Sequence, residues 1–417
     1  MWWNSRSEVT VHGDVDDAYG PVVDAFRRNF THHNELGAAL AIYRDGVPVV
    51  DIWAGRRDLQ RNLLWERDTV VPVFSTTKGI TALVFAVAVS RGILSYSDAV
   101  STWWPEFSSH GKQSITIRQL LDHEAGLPAI SVPLKTENLH DLDFLAGILA
   151  NEKPRWKPGT RHGYHPMSLG FYLNEVFRRA DPLRRTIGQF LQQEISTPHN
   201  LNVHIGVPKD FDFNTVAKLE KATPSVLADN IRDIPWRMAG DIAVHTRLKR
   251  PQLSVESLNN PRVGLPQFAS RPSYLNPEMP SCNAVGTARS IAALYSAAAT
   301  SSTTPLSELW SQDVRNQLAE PSHEGAAPDQ DVTLHVPSRY HLGFRKPHPS
   351  FPFGTPSPDS ASDGRAFGTT GIGGSMGYGD PDTGIGFAYV MNQLGVAMLD
   401  DPRNRRIRAA LQRVVHN

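Results

Sequence analysis

Residues 367–381 read FGTTGIGGSMGYGDP. Inside them, Gly373-Gly374-Ser375-Met376-Gly377 spells G-x-S-x-G, the pattern of a serine on a sharp strand-to-helix turn. On that reading Ser375 is a nucleophile and the sheet around it alternates with helices. The text that follows argues otherwise. MGYG (376–379) and GIGFAYVMNQ (384–393) read as strands, with Asp380-Pro381-Asp382-Thr383-Gly384 as the turn between them. His416 is the only histidine after Ser375, so a Ser…Asp…His order has no room to form. The glycines also fail G-x-G-x-x-G in every register, and no G-x-x-x-x-G-K occurs, which removes dinucleotide and P-loop readings. The stretch is strand, glycine-rich turn, strand.

Strand signals lie at both ends of the chain. ALAIYRDGVPVVDIWAG (39–55) reads as two strands joined at Asp45-Gly46, and RYHLGFR (339–345) as one more. The middle is mostly helical. TKGITALVFAVAVSRGIL (77–94) has few breakers, and Gly92 is placed to end a helix that starts near Ser75. TIRQLLDHEAG (116–126) opens on the N-cap Thr116 and is expected to stop at Gly126. Thr186 and Gln189 form a capping-box pattern, and ARSIAALYSAAA (288–299) is a further helix. An amphipathic helix carrying Val22, Val23, Phe26 and Phe30 precedes the first hairpin, and PRNRRIRAALQRVVHN closes the chain as another. The pattern predicts an α+β layered fold: one antiparallel sheet drawn from both chain ends, flanked by terminal helices, with a helical lobe from the middle. Two Pro-rich aperiodic stretches, 249–282 and 347–363, are candidates for lids or for solvated insertions.

The chain has 417 residues, with 42 basic and 42 acidic side chains and 40% hydrophobic content. That is globular composition with a substantial core. The balanced charge gives no electrostatic reason to expect a nucleic-acid or membrane partner. No run of 18 apolar residues suggests a transmembrane helix, and the start lacks a basic region followed by an apolar one, so a cytoplasmic location is expected. Cys282 is the sole cysteine and reads as a packed residue. His32-His33, His123-Glu124 and His323-Glu324 match no metal-ligand spacing, so neither metal nor cofactor is expected.

A second serine stands in VFSTTKGI (73–80). Ser75 and Lys78 share a helix face if the helix starts at Ser75. A serine hydroxyl attacks only when a base takes its proton. Lysine serves as that base when burial or a nearby cation holds it neutral, since its ordinary value is about 10.4. A helix N-terminus also favours the negative charge that develops on an attacked carbonyl. Ser-x-x-Lys alone is a weak signal, and its spacing names no third residue.

Over roughly residues 35–395 the chain resembles the serine β-lactamase and penicillin-binding-protein-like hydrolases, in particular the esterase branch called family VIII carboxylesterases. The resemblance is carried by NELGAALAIYRDGVPVVDIWAG, VFSTTKG, WWPEF, ITIRQLLDHEAGLPA, WKPGTRHGYHPMSLGFYLNEVFRR, NVHIGVP, GTARSIAALY and FGTTGIGGSMGYGDP, in the family's order. It implies one catalytic domain over 1–417, with a sheet lobe at about 16–75 and 285–417 and a helical lobe at about 76–284. It also implies that Ser75 is the acylated nucleophile, Lys78 its proton partner, and Tyr164 the general base and acid. Thr369-Thr370-Gly371 take the place of the third motif, the backbone N–H groups of Ser75 and Ile372 form the oxyanion hole, and His165 and Pro166 lie in the substrate region.

Two positions depart from the family pattern. Thr369 stands where a lysine or histidine is usual, and Pro166 where the β-lactamases often have asparagine. Both argue against efficient β-lactam turnover and leave ester hydrolysis intact. The expected activity is cleavage of small or medium acyl esters or lactones through an acyl-serine. The same acyl-enzyme in an acyltransferase, and an idle scaffold or filament-forming protein, are the alternatives. His162 and His165 flank Tyr164 and read as structural histidines or substitute bases, and Trp103, Trp104 and Trp156 as core or cleft wall.

Overall fold

The hairpin read at Asp45-Gly46 lies within a nine-stranded sheet in the computed structural model, which describes residues 9–233, 236–322, 330–348, 351–352, 354 and 364–416. Asp45 and Gly46 both take positive φ, the geometry a two-residue hairpin turn requires. The strands are β1 (Val11–Val15), β2 (Gly37–Arg44), β3 (Val47–Asp58), β4 (Leu63–Leu64), β5 (Tyr340–His341), β6 (Phe344–Arg345), β7 (Phe367–Thr370), β8 (Met376–Asp380) and β9 (Ile385–Met391). Their order is β1-β3-β2-β9-β8-β7-β6-β5, with β4 beside β3. Every pairing in this sheet is antiparallel. The two ends of the chain meet where Leu40 pairs with Tyr389 and Ala41 with Ala388.

Helices cover both faces of the sheet. On one face lie α1 (Gly20–His32) and α5 (Pro402–His416). Phe26 of α1 meets Tyr389 edge-on at 6.3 Å. On the other lies α4 (Ala288–Ala299), packed against β2, β8 and β9. The glycines of MGYG and GIG are explained by α4. A Cβ at Gly377 would come within 2.5 Å of the Tyr295 ring, and one at Gly386 within 2.4 Å of Ser296 Cβ.

Between the sheet-forming ends, α2 (Thr76–Ser90) is buried on nearly every side, as its unbroken apolar text requires. Its Phe85 meets Phe177 of α3 (Ser168–Ala180) at 5.3 Å. A small sheet joins Val71–Pro72, Val285–Gly286 and Val203–His204, tying the residues just before α2 and α4 together. The capping box at Thr186/Gln189 is present, and the N-cap Thr116 forms a second one with Gln119.

Three expectations need correction. RYHLGFR is a hairpin and not one strand, because Leu342 and Gly343 both adopt positive φ and reverse the chain. The helix begun at Thr116 ends at Leu121, ahead of His123, whose φ is 62°. Residues 249–282 are partly structured, with helices at Leu253–Leu258 and Pro272–Leu275, and Tyr274, Leu275 and Met279 enter the core. Most of 347–363 and the His323-Glu324 pair lie outside the described residues. A helix at Trp236–Leu248, with no buried residue among those described, was not anticipated. No described helix is long and apolar enough to cross a membrane.

Candidate active site

The site is assembled around the N-terminus of α2. Phe74 is buried and takes φ 46°, an unfavourable conformation for a bulky residue. The local structure holds it there. Its carbonyl accepts both Thr77 N–H and the Thr77 hydroxyl, and that hydroxyl in turn accepts Ala284 N–H at 2.8 Å. This bend delivers Ser75 as the residue that caps α2, half-buried, at a helix N-terminus.

One turn along, Lys78 is 2% exposed. Its Nζ donates to the Pro166 carbonyl at 2.7 Å and to the Ser281 carbonyl at 2.9 Å. Two of its N–H groups are thus given to backbone carbonyls. The same nitrogen lies 4.5 Å from the centroid of the Tyr164 ring. Tyr164 is itself placed by its backbone, whose N–H donates to both carboxylate oxygens of Asp331, at 3.1 and 3.0 Å. Asp331 is fully buried and also accepts the N–H groups of Thr333 and Leu334 and the hydroxyl of Tyr340. The Tyr340 ring stacks on Tyr164 with centroids 6.2 Å apart.

His165 turns away from this cluster. It is fully buried; Nδ1 donates to the Gly163 carbonyl at 2.6 Å, and Nε2 accepts Leu127 N–H at 2.9 Å. Burial lowers its pKa to about 3, with Lys78 adding to the effect against the opposing Gly163 bond. His123 is likewise held well below the ordinary range by burial, and its Nδ1 accepts His165 N–H. Both imidazoles are neutral spacers under the turn that carries Tyr164. This corrects the expectation of a substrate contact for His165, since no ring nitrogen remains for one. Pro166 enters through its carbonyl, which holds Lys78.

The opening stretch forms the opposite wall. Thr369 is buried, and its hydroxyl donates to the Thr76 carbonyl at 3.1 Å and lies 3.2 Å from the Tyr295 hydroxyl. Ser375 is 1% exposed; its hydroxyl donates to the Val73 carbonyl at 2.7 Å and lies 3.1 Å from Thr76 Oγ1. An inward hydroxyl bonded to a carbonyl attacks nothing. These bonds stitch the β7–β8 turn to residues 73–76, directly beside Ser75. Gly371 permits the approach, since a Cβ there would sit 2.2 Å from the Val73 carbonyl oxygen. At the tip, Ile372 is 45% exposed. From behind, Arg403 of α5 donates to the Gly373 carbonyl at 2.5 Å, and Asn404 to that of Gly374. Arg403 is buried between Glu35 (2.7 Å) and Asp401 (2.9 Å).

The beta-lactamase family profile matches residues 25–412. The chain belongs to the beta-lactamase family. Its members are serine hydrolases, and this chain has esterases among its neighbours. It is 29% identical over 389 residues to the esterase/beta-lactamase LipL of Mycobacterium tuberculosis, covering 92% of this chain and 83% of LipL. Among solved structures it is similar to a penicillin-binding-protein homologue from Caulobacter crescentus, with TM-score 0.79, 30% identity, and 97% and 100% of the two chains covered. It is equally similar to a family VIII carboxylesterase, with TM-score 0.80, 28% identity and the same coverage. Family membership fits the antiparallel sheet and flanking helices described above.

Asp331, Arg345 and Arg403 touch this region without having been singled out in the sequence. Asp331 stands in an irregular polar segment, and its role rests on a partner 167 residues away. Arg345 gave no signal, since it stands among Arg339, His341 and Lys346 in a stretch with several other basic side chains.

Proposed function

We propose that this family member is a metal-independent esterase that cleaves small or medium acyl esters through an acyl-Ser75 intermediate. The observation that carries the reading is the Lys78 amine, buried one helical turn from Ser75, held by two carbonyls and laid against the Tyr164 ring. In acylation, Ser75 Oγ bonds to the ester carbonyl carbon while its proton passes to the Tyr164–Lys78 pair. The oxyanion takes hydrogen bonds from the Ser75 and Ile372 N–H groups. The carbon–alkoxide bond then breaks and the alcohol leaves with the proton. Water repeats the sequence from the other side and releases the acid and free Ser75.

The similarity to LipL, an esterase/beta-lactamase, and to a family VIII carboxylesterase supports an ester as substrate. Thr369 brings no charge to the cleft edge and Pro166 no side-chain amide, so β-lactam turnover is expected to be weak. The test is a fluorophosphonate probe with the labelled serine mapped by mass, together with the p-nitrophenyl acetate burst. Wild type is expected to label once, on Ser75, and Ser75→Ala to lose both label and burst, with kcat down at least about a thousandfold. A label on Ser375, or an equal burst from Ser75→Ala, overturns the proposal.

A further inference from the structure

Arg345 lies on β6 and is 6% exposed. Its guanidinium carbon is 5.5 Å from the Tyr164 ring centroid and 5.0 Å from that of Tyr340. Its side chain donates to Ser338 Oγ at 2.9 Å, and among the described residues no carboxylate lies within ion-pairing distance. A buried cation without an anion is costly, and proteins as a rule pair it. The anion that would complete this site is therefore sought among the groups that face Tyr164.

Those groups are few. Lys78 approaches from α2, a second cation. Tyr340 stacks from β5 with its hydroxyl given to Asp331. His123 packs on the ring at 4.8 Å and is neutral, and His165 and His162 lie behind His123 and Tyr340 respectively. Asp331 is the one carboxylate, and it is already occupied by three backbone N–H groups and the Tyr340 hydroxyl. Thr369 carries no charge. Two buried cations thus converge on one phenol, and the phenol is the group there that becomes an anion when it acts as a base.

We propose that Arg345 is the electrostatic partner of Tyr164: its charge stabilises the phenolate and so sets the pH above which Tyr164 accepts the Ser75 proton. This rests on the roles given to Ser75, Lys78 and Tyr164 above. Arg345 touches no substrate in this scheme; it acts through Tyr164. The sign follows from the charge. A cation beside the ring favours the anionic form, so removing it moves ionisation to higher pH.

The test is the pH dependence of kcat/KM for p-nitrophenyl acetate in wild type, Arg345→Met, Arg345→Gln, Arg345→Lys and Tyr164→Phe. Folding is checked by near-ultraviolet circular dichroism, and tyrosinate absorbance near 295 nm is read as a difference against Tyr164→Phe. With Arg345→Met or Arg345→Gln, the acid limb is expected to move up by about one pH unit, and the Tyr164 absorbance transition with it. The loss of rate is then about tenfold greater below the limb than above it. Arg345→Lys is expected to restore the limb. A uniform fall at every pH, or an unmoved limb and absorbance transition in folded Met or Gln variants, overturns the proposal while leaving Tyr164 in place. If Tyr164→Phe keeps the wild-type limb and rate, the reading of Tyr164 falls first and the role of Arg345 with it.

Discussion

A Ser375→Ala substitution removes a hydroxyl that donates to the Val73 carbonyl and meets Thr76 Oγ1, all of it buried. The expected cost is about 1–3 kcal/mol, because the carbonyl and Thr76 lose a partner out of reach of water. The urea midpoint should fall while probe labelling stays at one serine per chain, and a loss of label would show that the hydroxyl does chemistry. His165 gives a second test at this scale. Its pKa is about 3 in the fold, lowered chiefly by burial, against 6.5 for a free imidazole. Between those values the unfolded chain holds a proton that the native chain does not, so this group's contribution falls as pH drops from about 6.5. His165→Gln has no such proton. It should be less stable than wild type at pH 7, yet the gap should narrow by about 2 kcal/mol between pH 6.5 and 5. Parallel unfolding midpoints of the two proteins over that interval would contradict the assignment.

At the scale of elements, the β7–β8 turn and the N-terminus of α2 form one unit, and Gly371 is the contact that admits no side chain. In Gly371→Ala the new Cβ would meet the Val73 carbonyl oxygen at 2.2 Å and Ser375 Oγ at 2.3 Å. The turn must retreat from Ser75. Esterase activity is expected to drop by more than about tenfold with about 1–3 kcal/mol of destabilisation, read from kinetics and urea unfolding of the same preparation. Wild-type kinetics in the alanine variant would rule out a close-approach role.

How far these elements were legible depends on where their determinants lie. Asp45-Gly46, the Thr116 N-cap and the Thr186/Gln189 capping box are local chemistry, and the sequence displays them within a few residues. The hairpin at Leu342-Gly343 is local too, but its glycine sits in text that alternates convincingly, so period two hid a reversal. That Ser75 and Lys78 lie one helical turn apart was readable from their spacing. What holds Lys78 was not, since its acceptors are backbone carbonyls and any residue type supplies one. Only the resemblance placed His165 in the substrate region; the structural reading of this histidine fits, since its two nitrogens are used up on Gly163 and Leu127.

Across the whole molecule, Arg403 joins parts of the chain that are far apart in sequence. It pairs with Glu35, caps the Gly373 carbonyl, and lies on the helix that covers the sheet. Burial pushes the Glu35 carboxyl up, and Arg403 and the Tyr389 hydroxyl oppose that. Arg403→Met leaves Glu35 and Asp401 buried without a cation, at a cost of about 3–5 kcal/mol. Adding Glu35→Gln removes one of the stranded charges, so the double variant should be more stable than Arg403→Met alone. Strictly additive losses in urea unfolding would mean that the two side chains do not sense each other.

The pair of carbonyls that grips Lys78 also dictates an order of events during folding. One acceptor is 88 residues from the lysine and the other 203, so neither can be in place until long loops have closed. A chain that has regained its helices therefore still lacks the Lys78 placement that the proposed mechanism needs. On refolding from urea, the ellipticity of α2 and α3 should return ahead of the acylation burst, which makes the burst a clock for the last long-range closure.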